Sequence, residues 1–336
     1  VDTITHIALG ACIGEALAKR KLGKKALVFG ALAQTIPDID FIFSLWMEPS
    51  SNFLVHRGFS HSLLFVVLIA LLLALIIQRW WGKSDTSFSF WFLFFGTETL
   101  VHILLDAFNA YGTAWFEPFS DYRVSFNTLF VADPFYSMPL GIALVILVLL
   151  RPDHRSRIYW ALGALFLSSF YIGYALFNKF DIDEEVRANL VVQNIQTEKY
   201  FSTPTPFNNW LWFVVASNES GSFVGYRSVF DDKSKIDLQF FPRNDSLLRL
   251  ADDEEEVIRL KRFSQGYYTA ELAGDTLIFN DLRFGQMIGW EDPHAGFVFH
   301  YYLHPELDNR LVMQRGRFAN WDKQATQSLL QRINGQ

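Results

Sequence analysis

The sequence predicts a polytopic α-helical membrane bundle of about six short or spanning helices, followed by a soluble α+β domain built mainly on antiparallel sheet. Three observations predict it. An unbroken apolar run from Leu63 to Ile77, closed by Arg79, Trp80 and Trp81, has the length and interfacial anchor of a membrane span. Apolar residues, 51% of the whole, concentrate before about residue 178. Beyond Asp181 they alternate with polar residues, as in half-buried strands. A chain of 336 residues has room for two domains, expected at 1–178 and 181–336.

Residues 4–18 and 25–44 are rich in small residues and interrupted by Glu15 and Pro37, and are expected to form short, packed or partly re-entrant helices. The amino terminus lacks the charged start, apolar middle and cleavage site of a secretory signal, so the first helix is expected to be retained. The span at 62–81 follows. Residues 86–108 are apolar and aromatic except for Glu98, His102 and Asp106. Ionisable groups are costly in hydrocarbon, which points to a function for them. Segments 135–150, ending at Arg151, and 158–177, without charge, complete the six.

Loop charge orients these segments. One side carries Lys19, Arg20, Lys21, Lys24, Lys25, Arg79, Lys83, Arg151, Arg155 and Arg157; the other carries Arg57 and Arg123. Cytoplasmic loops hold the excess of Lys and Arg. The amino terminus, the loops at 45–61 and 109–133, and the domain at 181–336 are therefore expected outside the cytoplasm. In that domain, Leu190 to Ile195, Trp210 to Ala216, Phe223 to Phe230, Thr276 to Phe279 and Phe297 to Leu303 read as strands. Segments 244–263 and 320–333 read as helical, with Asp252 to Glu256 a solvated acidic run.

A net charge of −6 and a pI near 5.8 argue against nucleic acid as a main partner. Cys12 is the only cysteine, which rules out an intrachain disulfide and a cysteine metal cage. Any metal site must use histidines and carboxylates.

His102 and Asp106 stand four apart on one helical face, and Glu98 extends the stripe one turn inward. Imidazole nitrogen and carboxylate oxygen suit zinc or a similar divalent ion, whose charge would offset the cost of burying them. The same spacing also suits an interhelical hydrogen bond. Further ligand types fall at the same depth: Asp38 and Asp40 after Pro37, His56 in the next outer loop, His61 opening the third helix, and His6 at the start of the first. This convergence of segments predicts a divalent-metal site, with zinc the expected ion. His154, His294, His300 and His304 fall elsewhere, the last two being a minor alternative site. The loop at 109–133, with Asn109, Tyr111, Gly112, Pro118, Asp121, Arg123 and Asp133, is expected to close over the site. Arg57 and Arg123 are expected to hold a phosphate oxygen, although Arg123 also suits an ion pair with Asp121 or Asp133.

The strings Thr5-His6, GALAQTIPDID at 30–40, HRGFSHS at 56–62, HILLDAFNAYGT at 102–113 and PFSDYR at 118–123 together resemble the YdjM-like family of LexA-binding, inner-membrane metal-dependent hydrolases. The resemblance covers the membrane half, and DLRFG at 281–285 is similar to a carboxy-terminal extension of some members. It implies a bacterial inner-membrane location. The TH, PD and HxxxD elements are more distantly similar to zinc-dependent phospholipase C and related nucleases. That likeness implies Asp38, His61, His102 and Asp106 as ligands of one ion, with His6 and a shared Asp106 touching another. The chain departs from it in having no HxxxE partner after HxxxD.

The expected activity is metal-dependent hydrolysis of a phosphoester or lipid-linked substrate at the outer face, with Asp40 as general base and Arg57 and Arg123 on the head group. The alternative is a scaffold or sensor with a structural metal, binding a protein partner through residues 181–336. A transporter fits less well, because only Glu98 lies deep.

Overall fold

The computed structural model describes residues 2–81, 86–232, 235–304, 309 and 321–335. Lys83, counted in the loop-charge argument, lies outside them. The chain divides into two compact units, one of residues 1–45 and 55–175, the other of residues 46–54 and 176–336.

In the first unit, α1 (Thr3–Leu22) is capped by Asp2, whose side chain accepts from Thr5 N at 3.0 Å. It packs along α2 (Lys25–Thr35). Gly10 and Gly14, four apart on α1, make the approach close: a Cβ on Gly10 would strike the carbonyl of Gly30, and one on Gly14 that of Ala26. Pro37 cannot donate to the helix and disfavours helical geometry before it. The chain accordingly bends by 51° from α2 into a 3-10 turn, Pro37–Leu45. A second 3-10 turn, Phe59–His61, leads to α4 (Leu63–Trp81) and then α5 (Phe88–Asp106), α6 (Pro134–Leu149) and the start of α7 (Arg157–Val192). The short α3 (Pro49–Val55) precedes that second turn.

Helices α4, α5 and α7 are long and apolar enough to cross a membrane, and the bent pair of α2 with Pro37–Phe43 makes a fourth if it is one span. Helix α6 is apolar but shorter, at 16 residues. The six predicted segments are thus helical, while three or four of the described helices qualify as spans.

In the second unit, β1 (Lys199–Pro204), β2 (Leu211–Ser217), β3 (Gly221–Ser228) and β4 (Leu238–Pro242) form an antiparallel meander in chain order. Strands β5 (Tyr268–Ala273), β6 (Thr276–Gln286) and β7 (Phe297–Tyr302) form a second antiparallel sheet. Strand β2 is buried on both faces, as its period of two explains. Trp212, Val214 and Ala216 meet the α7 stripe Ile182, Val186 and Leu190; Phe213 and Val215 meet Leu282 and Phe297 of the second sheet. Helices α8 (Glu254–Phe263) and α9 (Lys323–Ile333) are each capped by an aspartate, Asp253 and Asp322. Residues 46–54 join this unit: Phe53 stacks on Phe263 and meets Phe299 edge-on, and buried Ser50 accepts from Arg259 Nε at 3.1 Å.

One strand expectation is corrected. Leu190 to Ile195 is not a strand, because α7 continues through Val192 as a single helix of 36 residues. Its Ile182, Val186 and Leu190 keep the helical spacing of four, which outweighs the short apolar run at its end. The DLRFG string lies on β6 at a bulge, where Arg283 pairs with Asp281 at 2.6 Å and both are buried.

Candidate metal centre

The stripe on α5 is real: Glu98, His102 and Asp106 are all fully buried. Around the carboxy-terminal end of α5 the first unit brings Asp38, His61, His102 and Asp106 together, with one donor atom from each lying within 4.8 Å of the others. Among the described residues this is the one histidine and carboxylate group of that geometry. His61 and His102 are fully buried, while the Asp38 side chain is 18% exposed and marks the open edge.

Hydrogen bonds at the far side of each ring decide what faces inward. His102 Nδ1 lies 2.5 Å from the main-chain oxygen of Gln34, which can only accept, so Nδ1 carries the proton. His61 Nδ1 lies 2.9 Å from Ser60 Oγ, whose own proton goes to Asp40 Oδ2 at 2.6 Å, and 3.5 Å from that same Oδ2. Its Nδ1 is therefore also a donor. The two Nε2 atoms then face each other at 3.2 Å with Asp38 Oδ1 at 3.5 Å from both and Asp106 Oδ2 at 3.3 and 3.6 Å. Two lone pairs at that distance require a proton or a cation between them.

The local charge favours a cation. Asp38, Asp40 and Asp106 stand against one guanidinium, Arg57, whose Nε is 3.3 Å from Asp106 Oδ2. Once a metal displaces the His61 proton and the imidazoles are neutral, the three carboxylates and Arg57 leave a surplus of two negative charges, matching a divalent ion. Burial alone pushes an imidazole pKa down, yet Asp106, Asp38 and Asp40 hold that of His61 up at about 10. The donor set of two imidazole nitrogens and two carboxylate oxygens therefore fits a divalent metal; it leaves the identity of the ion open.

The other predicted residues surround this core. His6 Nε2 lies 3.2 Å from Asp106 Oδ1, and the His6 ring stacks on His102 at 3.9 Å. Asp40 is not among the four donors. Its Oδ1 takes His56 Nδ1 at 2.9 Å, and its Oδ2 takes Ser60 Oγ and Arg57 N, the latter at 3.0 Å. His56 is also outside the donor group, 35% exposed beside it. Arg57 adopts a left-handed φ of 61° and turns inward, donating to Asn109 Oδ1 at 2.7 Å. Arg123 donates to the main-chain oxygen of His56 at 3.2 Å. The loop at 109–133 does fold back on the neighbouring segments, with Ala114 N bonded to Arg57 O and Phe126 N to Ala107 O. His300 instead faces the oxygen of Phe297 in β7 at 3.2 Å.

Sequence reasoning missed Gln34 and Ser60 as supports and named Asn109 only as part of the loop at 109–133. The tight small-residue contact between α1 and α2, which sets Gln34 beside His6, is the one signal that pointed there.

The chain is 34% identical over 122 residues to the inner membrane protein YbcI of Escherichia coli (strain K12), a stretch covering 36% of this chain and 69% of that protein. It is 28% identical over 142 residues to YfhP of Bacillus subtilis (strain 168), covering 40% of this chain and 42% of that protein. No solved structure matches. The family model described as YdjM inner membrane protein matches residues 1–180, which contain every residue of the centre, and the chain belongs to that family.

Proposed function

We propose that this inner-membrane protein is a metal-dependent hydrolase that cleaves a phosphoester in a lipid or lipid-linked substrate at the outer face, with zinc as its ion. The observation that carries the reading is the convergence of two imidazole lone pairs and two carboxylates beside an edge opened by Asp38. A divalent ion held there supplies Lewis-acid polarisation and lowers the pKa of water. Asp40, with both oxygens engaged, suits orientation better than direct proton transfer. It fixes His56 through Nδ1, leaving the His56 Nε2 to take a proton at the open edge. Arg57 balances Asp106, and Arg123 donates to the His56 main chain.

We place the second unit outside the cytoplasm. Supporting this, residues 46–54 belong to an outer loop by the charge bias and fold with residues 176–336.

The test is turnover of phosphomonoesters, phosphodiesters and short-chain phospholipids by purified protein. Activity should vanish with chelator and return with zinc. His56→Ala should retain metal and lose about 100-fold or more in kcat. One observation favours a second reading: four protein donors around one ion resemble a closed structural site. Loaded protein without turnover on any of these substrates would support that scaffold role instead.

A further inference from the structure

An uncharged amide with no metal chemistry of its own sits at the back of the centre. Gln34, at the end of α2, is fully buried. Its Nε2 lies 2.8 Å from the main-chain oxygen of Glu98 and 3.2 Å from Glu98 Oε2. A carbonyl oxygen only accepts, so this contact fixes which end of the amide is nitrogen. Oε1 must point the other way, and it lies 3.3 Å from His6 Nδ1. An acceptor in that place requires a proton on Nδ1. The main-chain oxygen of the same residue makes the same demand of His102 Nδ1 at 2.5 Å. One residue thus addresses two stacked imidazoles through two different oxygens.

Room for it is built in. A Cβ on Gly10 of α1 would lie 2.5 Å from Gln34 Cγ, so the glycine that lets α1 and α2 approach also leaves space for the amide.

We infer that Gln34 is a positioning residue that sets the tautomer of both His6 and His102, keeping both Nδ1 atoms protonated so that both Nε2 atoms are turned toward Asp106. His6 Nε2 and His102 Nε2 lie on the two oxygens of that carboxylate, at 3.2 and 3.6 Å. A ring flipped to the opposite tautomer would present an N–H where a ligand lone pair is needed. The Nδ1 protons follow from these contacts alone; the bare Nε2 rests on the metal reading, because without a cation Asp106 Oδ1 at 3.2 Å asks His6 Nε2 for a proton as well.

The experiment is nitrogen-15 NMR of histidine-labelled full-length protein in lipid, with signals assigned through His6→Asn and His102→Asn. In the metal-free and zinc-loaded wild type, Nδ1 should be protonated on both rings. An unprotonated Nδ1 on either ring overturns the inference. Gln34→Met keeps the volume but removes Oε1 and Nε2. It should release His6 to a mixture of tautomers, leave His102 unchanged because its acceptor is main chain, and weaken zinc binding about 10- to 100-fold. A His6 signal unmoved by this change also overturns it. Should the variant not fold, the wild-type spectrum still decides. A wild type that binds no zinc but shows both Nδ1 protons would refute the metal reading and support the tautomer assignment.

Discussion

Helix α1 carries a buried ionisable residue toward each end, and the two ends of the helical unit treat them differently. At one end, Glu15 is fully buried but saturated: both its oxygens take Arg157, Nε at 2.8 Å and Nη2 at 2.6 Å. The remaining Arg157 nitrogen, Nη1, donates to the carbonyls of Leu147 and Leu150 at 2.5 and 3.1 Å. Charge and hydrogen bonds both close there. At the other end, His6 joins a cluster in which carboxylates outnumber guanidinium and imidazole lone pairs converge. Burial of charge is common to both ends. What separates a structural pair from a candidate binding centre is whether the charges and lone pairs are already spoken for.

This contrast can be broken at its closed end first. Arg157→Met alone should cost up to about 3–5 kcal/mol by leaving buried Glu15 with only Lys19, whose Nζ is 3.4 Å from its Oε1, whereas Glu15→Leu with Arg157→Met should recover most of it. Thermal unfolding in detergent measures both, and the double variant should keep the metal content of the wild type. A single variant as stable as wild type would deny that the Glu15–Arg157 pair is closed.

The open end should respond to pH. The folded pKa of His61, raised to about 10, means that a metal must displace a proton there at neutral pH. Metal affinity should rise with pH until about 10 and fall as the solution is acidified, as isothermal titration at several pH values would show. An affinity independent of pH between 6 and 9, roughly the range that spans the free imidazole value, would contradict this assignment.

A smaller effect should come from the packing that sets the two ends in register. Gly10→Ala drives a methyl into the Gly30 carbonyl and the Gln34 side chain, and should cost about 1–3 kcal/mol with weakened metal binding. Unfolding and zinc titration of the variant would check it, and neutral behaviour in both would mean the helices can separate freely. Smallest of all, Ser60→Ala removes one of the contacts on His61 Nδ1 while Asp40 remains. Zinc affinity should drop by less than about tenfold.

Much of the centre was legible because metal chemistry restricts ligands to few residue types. Asp38, His61, His102 and Asp106 stood out alongside His6, Asp40 and His56 as ionisable groups in apolar or turn-forming surroundings, the spacing of His102 and Asp106 put those two on one face, and only the resemblance singled out the four. The supports were not legible. Gln34 and Ser60 are ordinary polar residues whose meaning depends on which atom they meet across 68 positions or at the next residue. The Glu15 to Arg157 pair joins residues 142 apart that read separately as an interruption and a loop charge. In the second unit, strands β2, β3, β6 and β7 followed alternation, but Leu190 to Ile195 did not, because a continuing helix overrode a run compatible with either period. The attachment of residues 46–54 to the second unit left no mark in composition, since Phe53 and Ser50 become interpretable only beside Phe263 and Arg259.

Metal content of the purified full-length protein tests most directly whether Asp38, His61, His102 and Asp106 form a divalent-metal centre. After dialysis against zinc, wild type should hold bound zinc at or above one ion per chain, and His102→Ala and Asp106→Ala should hold none at that site while remaining folded. Cobalt in place of zinc should give the absorption of a low-coordinate nitrogen and oxygen site. A folded wild type that binds neither ion, or a His102→Ala variant that binds as the wild type does, would contradict the account.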